Sequence, residues 1–241
     1  MSPLTKTKIG FIGSSAPSSP HHDSFRAFIP KEIDFTFVQE AGGERSRDDD
    51  PGKLEALVKQ LVELVKQNGW NGVIASGAPK EAFNPTMLER LTSALNIPVA
   101  TAMRSSIAAL KAVSAKRILL MTPVDDELKK MYRNFLAGFG ITAVYPPQTL
   151  GKRTDAVKLT AADVESMTKK TFAQYAGVDA IYFQGALLDP LKVLDKLETE
   201  LQVPIIASNP AMLWFVLSKL RLRYEIAGYG KLLSSWPALP R

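Results

Sequence analysis

Gly72-Val73-Ile74-Ala75-Ser76-Gly77-Ala78 is echoed further along the chain by Asp179-Ala180-Ile181-Tyr182-Phe183-Gln184-Gly185-Ala186. Each run reads as an apolar strand, then a helical stretch, then a second apolar strand entered through a proline. Leu88, Leu91, Leu95 and Pro98 recur as Leu194, Leu197, Leu201 and Pro204 at a constant offset of 106 residues. After the prolines come Val99-Ala100-Thr101-Ala102 and Ile205-Ile206-Ala207-Ser208. Two halves built on one plan predict an α/β fold with two pseudosymmetric lobes, each a mostly parallel sheet flanked by helices. Ligands of such sheets meet the loops at the carboxyl ends of strands, so the expected site is the cleft between the lobes.

Working outward, Lys8 to Gly13 reads as a buried strand that ends in a small polar loop, Ser14 to Pro20. Ile33 to Val38 reads as a second strand. Asp48-Asp49-Asp50-Pro51 predicts a helix start, because acids suit the positive end of a helix and proline is tolerated in its first turn. Leu54, Leu57, Val58, Leu61, Val62 and Val65 give that helix an apolar face. The plan restarts at Arg117-Ile118-Leu119-Leu120-Met121-Thr122-Pro123, with Asp125-Asp126-Glu127 opening the next helix and Ile141 to Tyr145 forming a strand. Pro146 to Thr160 is expected to be a long loop, and Thr160 with Asp163 to cap a helix from Ala161 to Tyr175. These readings place an N-terminal lobe at 1–114 and a C-terminal lobe at 115–241. The chain is expected to cross between them near 97–115 and 204–241.

At 241 residues, with 46% hydrophobic and 22% charged residues, the chain has the composition of a globular protein with real cores. No apolar run approaches the ~18 residues a membrane helix needs, and Met1 to Lys8 lacks the apolar core of a signal peptide. A cytoplasmic location is the expectation. The net charge of +6 is dispersed in short runs interleaved with acids, which argues against nucleic-acid binding and is compatible with a small anionic ligand. There are no cysteines and two histidines, adjacent at His21 and His22, so disulfides, thiolate metal sites and thiol nucleophiles are excluded. No metal and no cofactor is expected.

Ile9-Gly10-Phe11-Ile12 with its small-residue loop, Ile97-Pro98-Val99-Ala100-Thr101-Ala102 before a helix, and Arg117 to Pro123 followed by Asp126-Glu127 form an ordered set. Val203-Pro204-Ile205-Ile206-Ala207-Ser208-Asn209-Pro210-Ala211 with Trp214, and Gly228-Tyr229-Gly230-Lys231-Leu232, complete it. In order and spacing the chain resembles the aspartate/glutamate racemase superfamily, in the branch of arylmalonate decarboxylase and maleate cis–trans isomerase. The resemblance implies a two-lobed fold with the active site between the lobes, and chemistry at the carbon next to a carboxylate. Racemases and isomerases of the family carry one cysteine per half, and the decarboxylase keeps only the second. Here the first position falls at or beside Gly77 and the second at Gln184 or Gly185. Ala78-Pro79 stands where threonine and serine are common, Val124 where a tyrosine usually follows the Thr-Pro turn, and the loop after Gly77 is shorter.

The resemblance implies substrate contacts from Gly13, Ser14, Ser15, Gly77, Ala78, Val124, Gly185, Ala186, Ser208 and Asn209. Ser14 and Ser15 follow the first strand, where exposed N–H groups form an anion nest. Ser76 and Gln184 are the polar residues nearest the two missing thiols. Serine needs an activating base, and glutamine does not titrate. His22, in the run His21-His22-Asp23, is the candidate general base, the alternative being a solvated loop. Asp125 stands at a turn that can face the cleft, whereas Asp126 reads as a helix-start acid. Trp214 reads as core. The expected activity is a cysteine-independent lyase or isomerase on a small carboxylate, with the enediolate held by backbone amides. A hydrolase using an activated water and a noncatalytic carboxylate-binding protein are the alternatives. The expected partner is the small carboxylate itself, and self-association stays open.

Overall fold

The computed structural model describes residues 6–19, 22–41, 51–146 and 153–240. The expected helix-start acids Asp48 to Asp50, the candidate His21, and 147–152 of the predicted 146–160 loop lie outside these residues.

The first sheet is built from β1 (Thr7–Gly13), β2 (Ile33–Gln39), β3 (Gly72–Ala75) and β4 (Val99–Thr101), all parallel in the order β2-β1-β3-β4. The second is built from β5 (Arg117–Met121), β6 (Thr142–Val144), β7 (Ala180–Phe183) and β8 (Ile205–Ala207), parallel in the order β6-β5-β7-β8. The order is the same in both, so the internal echo is a repeat of topology. Three of the four residues of β3 and all of β7 are large or small apolar residues, and both strands are buried throughout, as central strands of parallel sheets must be.

The helices follow the apolar spacing. After the short α1 (Asp23–Arg26) come α2 (Pro51–Asn68), α3 (Ala78–Phe83), α4 (Met87–Leu95) and α5 (Ala102–Ala112). The second half contributes α6 (Asp126–Ala137), α7 (Arg153–Ala156), α8 (Ala161–Phe172), α9 (Leu194–Leu201), α10 (Ser208–Lys219) and α11 (Lys231–Ser235). Leu54, Leu57 and Leu61 of α2 pack with Met87, Leu91 and Leu95 of α4 in a core on one face of the first sheet, together with Trp70 and Val73. Thr160 and Asp163 form a full capping box at the start of α8, with reciprocal bonds to each other's main-chain N–H. The region read as one loop before it contains the short helix α7.

α5 and α10 hold the halves together. α5 follows the first sheet and touches β8 of the second, while α10 follows the second sheet and packs on β3 and β4 of the first. The two helices also pack on each other. α10 is apolar nearly all round, and nine of its residues from Ser208 to Leu217 are buried, as suits a helix enclosed on every side. Trp214 is core, its indole N–H donating to the Pro237 carbonyl at 3.0 Å.

Candidate active site at paired strand ends

The ends of β3 and β7 are structurally equivalent. Ile9 faces Gly72 in register as Ile118 faces Ala180, and Ile12 faces Ala75 as Met121 faces Phe183. Ser76 N–H then donates to the Ile12 carbonyl at 2.9 Å, and Gln184 N–H to the Met121 carbonyl at 3.0 Å. Ser76 therefore corresponds to Gln184, and Gly77 to Gly185. Both glycines turn the chain with φ of 118° and 90°, a region side chains other than glycine avoid.

In the first half, Ser76 Oγ donates to the Ile12 carbonyl at 3.1 Å and lies directly against Gly13, where any Cβ would collide with it. The absence of a side chain on Gly13 thus lets the β1 and β3 ends close on each other. Ser14 is exposed and Ser15 half-buried beyond that contact, and Gln39 Nε2 donates to the Ser14 carbonyl at 3.1 Å. In the second half, buried Gln184 accepts from Thr122 Oγ1 at 3.1 Å, which ties the β7 end to the β5 end. Ser208 Oγ accepts from Gly185 N–H at 3.2 Å and lies 3.3 Å from Tyr182 Oη. Tyr182 also bonds Ser106 of α5, and its burial pushes the phenol up to about 12, so it stays protonated. Ala78 and Val124 are buried, while Ala186 and Asn209 are half-buried. The structure thus brings Gly13, Ser76 and Gly77 together at one strand end, and Gln184, Gly185 and Ser208 at the other.

Two candidates have other surroundings. His22 is buried and packs its ring against Phe11 and Phe37, with centroids at 5.4 and 4.7 Å. Asp125 is exposed and caps α6, accepting from Leu128 N–H at 2.9 Å.

The sequence reading passed over the two residues that follow Gly77-Ala78-Pro79. Lys80, 5% exposed, is the one buried lysine or arginine among the described residues. Its ammonium pairs with Glu40, whose N–H donates to the Gly13 carbonyl at 2.8 Å beyond the end of β2. Glu81, 1% exposed, accepts from Thr101 Oγ1 at 2.6 Å, Met103 N–H at 2.7 Å and Arg104 N–H at 3.0 Å, so it caps α5 from outside that helix. Burial outweighs these bonds and the nearby Arg104 charge, and raises the carboxyl from 4.5 to about 7. Pro-Lys-Glu at a helix start reads as a solvated first turn. The packing of α3 against α5 and α6 is what buries it, and the shortened loop after Gly77 was the one available signal. Among the described residues no three His, Asp or Glu side chains converge as a metal set, and no helix is long and apolar enough to cross a membrane.

The family model for arylmalonate decarboxylase matches residues 75–233, about two thirds of the chain. The chain belongs to the arylmalonate decarboxylase family. The matched stretch starts one residue before Ser76 and includes both paired strand ends, whereas Gly13 to Ser15 lie outside it. Among solved structures, an arylmalonate decarboxylase has 21% identity and a TM-score of 0.78, over 95% of this chain and 99% of its own. The maleate isomerase Iso of Pseudomonas putida S16 has 18% identity and a TM-score of 0.76 over 95% and 99%. A mutant maleate cis–trans isomerase of Nocardia farcinica, with a covalently bound succinylcysteine intermediate, has 17% identity and a TM-score of 0.72 over 95% and 98%. These likenesses establish the fold. No curated protein matches the sequence.

Proposed function

We propose that the protein is a cysteine-independent enzyme acting at the carbon next to a carboxylate, and that decarboxylation of a small malonate-type acid is its reaction. The observation that carries this reading is the pair Ser76-Gly77 and Gln184-Gly185, at equivalent strand ends of a decarboxylase-family fold in a chain with no cysteine. A route through a succinylcysteine, as in the Nocardia isomerase, is closed to this chain. Decarboxylation does not need a nucleophile. The C–C bond to one carboxylate breaks, carbon dioxide leaves, and its bonding electrons remain as an enediolate on the other carboxylate. A proton then adds to the α-carbon.

The groups available suit that step. N–H groups of the Gly13–Ser15 and Gly77–Ala78 turns and of Ala186 serve as donors to the retained carboxylate, where charge develops. Lys80, beside Gly77 in sequence, pairs with Glu40, whose N–H is bonded to the Gly13 carbonyl, and so ties the two turns of the first half together. Ser76 and Gln184 orient rather than titrate, so the proton originates in solvent.

The test is a proton NMR screen in deuterated water with aryl- and alkylmalonates, maleate, aspartate, glutamate, hydantoins and simple amides. Carbon dioxide release from a malonate, with deuterium entering the α-carbon of the product, is the expected result. Isomerisation of maleate would contradict the closed thiol route. Line broadening of a carboxylate without exchange would make the protein a carboxylate binder, and hydrolysis of an amide would replace the proposal with the activated-water reading.

A further inference from the structure

Side chains of α5 from Arg104 onward and of α10 from Phe215 onward line a groove of about 550 Å³. The groove shares no residue with the strand-end site. Its lining combines Ile107, Phe139 and Phe215 with Arg104, Lys111 and Lys219, and includes no acidic residue. Arg104 is already neutralised by Glu89 at 2.8 Å and lies over the Phe139 ring at 4.7 Å. The Lys111 and Lys219 ammonium groups stand 5.6 Å from Phe139 and 5.5 Å from Phe215, and neither meets a carboxylate among the described residues. Each lysine is in the last turn of its helix, which accounts for a cation there. The dipole does not account for two cations that meet no carboxylate among the described residues and converge with two aromatic rings on one concave surface.

We propose that this groove is a second binding site, for a small amphiphilic organic anion such as an aryl or medium-chain acyl carboxylate. The apolar body lies against Ile107, Phe139 and Phe215, and the carboxylate is met by Lys111 and Lys219. The volume falls within the ~300–1,000 Å³ typical of small-molecule pockets. Burying the apolar body supplies the driving force, and the two lysines select the charge.

The experiment titrates 4-phenylbutyrate and octanoate into the ¹⁵N-labelled full chain, with neutral 4-phenylbutanol as control. Amide shifts concentrated at Ile107, Lys111, Phe139 and Phe215 are expected. Weakening of about tenfold or more is expected for the alcohol and for the double variant Lys111→Glu/Lys219→Glu. Both lysines are exposed, so the variant retains the fold, which an unchanged amide spectrum verifies. Shifts confined to the strand ends, no shifts at millimolar probe, or undiminished binding in the double variant would overturn the proposal. So would a concentration-dependent dimer that the double variant dissociates, since a second copy of the chain would then occupy the groove.

Discussion

The β3 end and the β7 end have one backbone plan and two different contents. Both halves stop a buried strand at a polar residue, turn at a glycine of positive φ, and continue toward a helix. After Gly77 the chain enters α3 and buries Lys80 and Glu81. After Gly185 it passes through Ala186 and the buried Leu188 into a 3-10 turn at Leu191–Val193, with no buried charge. The spacing records the difference: Gly72 to Ala180 is 108 residues, whereas Val99 to Ile205 is 106, so the first half has two extra residues between strand end and helix. Duplicated topology accounts for the two matched strand ends. The charge that distinguishes them comes from the part of the repeat that diverged.

The largest expected effect tests whether that charge is integral to the first half. Lys80→Met leaves Glu40 as a partly buried carboxylate without its cation, a change that typically costs about 3–5 kcal/mol. Lys80→Met/Glu40→Leu removes both charges and should recover most of that loss in denaturant unfolding, because an apolar pair of similar volume is tolerated. If Lys80 also supports the substrate carboxylate, the double variant stays inactive although stable. A single variant as stable as the parent would make the pair ornamental and the two strand ends energetically alike.

Glu81 gives the next effect, and it depends on pH. Its folded value of about 7 lies above the ordinary 4.5, so its contribution to stability is fully present below 4.5 and is lost as pH rises through about 7. The shift corresponds to about 3 kcal/mol across that window. Relative to Glu81→Gln, the parent should therefore lose stability as pH increases from 4.5 to 7, and the difference should level off above it. A difference that is flat from 4.5 to 7, with the parent gaining stability only as pH rises toward 4.5 from below, would mean that the α5 N-terminus holds the carboxylate charged. In the second half, by contrast, replacement of Gln184 should produce no such slope.

The glycine pair sharpens the likeness. A Cβ on Gly185 meets nothing within 4 Å, and one on Gly77 meets only Lys80 Cβ at an ordinary 3.7 Å. Alanine at either position is thus a test of backbone strain alone, expected at about 1–3 kcal/mol. Gly77, at φ 118°, should cost more than Gly185 at 90°, since it lies further from the left-handed well that side chains can reach. Equal and negligible costs in urea unfolding would show that the turns relax freely and are not matched strain points.

The same contrast explains what was legible in the sequence. Apolar periodicity and the leucine–proline echo depend on local spacing, so the strands, the helices and the two-sheet plan could be read directly. Gly13, Ser76 and Gln184 could be placed at strand ends because strand ends are themselves periodic features. Lys80 and Glu81 could not, because their burial depends on how α3 packs against α5 and α6, which no local pattern encodes. His22 illustrates the converse. Its polar, serine-rich surroundings in sequence leave a general base or a solvated loop open, whereas Phe11 and Phe37, distant in sequence, pack against its ring.

The smallest effect decides what Asp125 does at the end of β5. As the N-cap of α6 it accepts from Leu128 N–H, a role that asparagine fills as well and alanine does not. Asp125→Ala should cost about 1 kcal/mol, and Asp125→Asn only a few tenths. If capping is the whole role, the asparagine variant retains the parent's rate of deuterium incorporation from a malonate substrate. If the carboxyl group relays the proton, the asparagine variant remains as stable as the parent and loses exchange. The pair of variants separates a helix cap from a proton relay, and with it decides whether the second half contributes a carboxyl group to proton transfer.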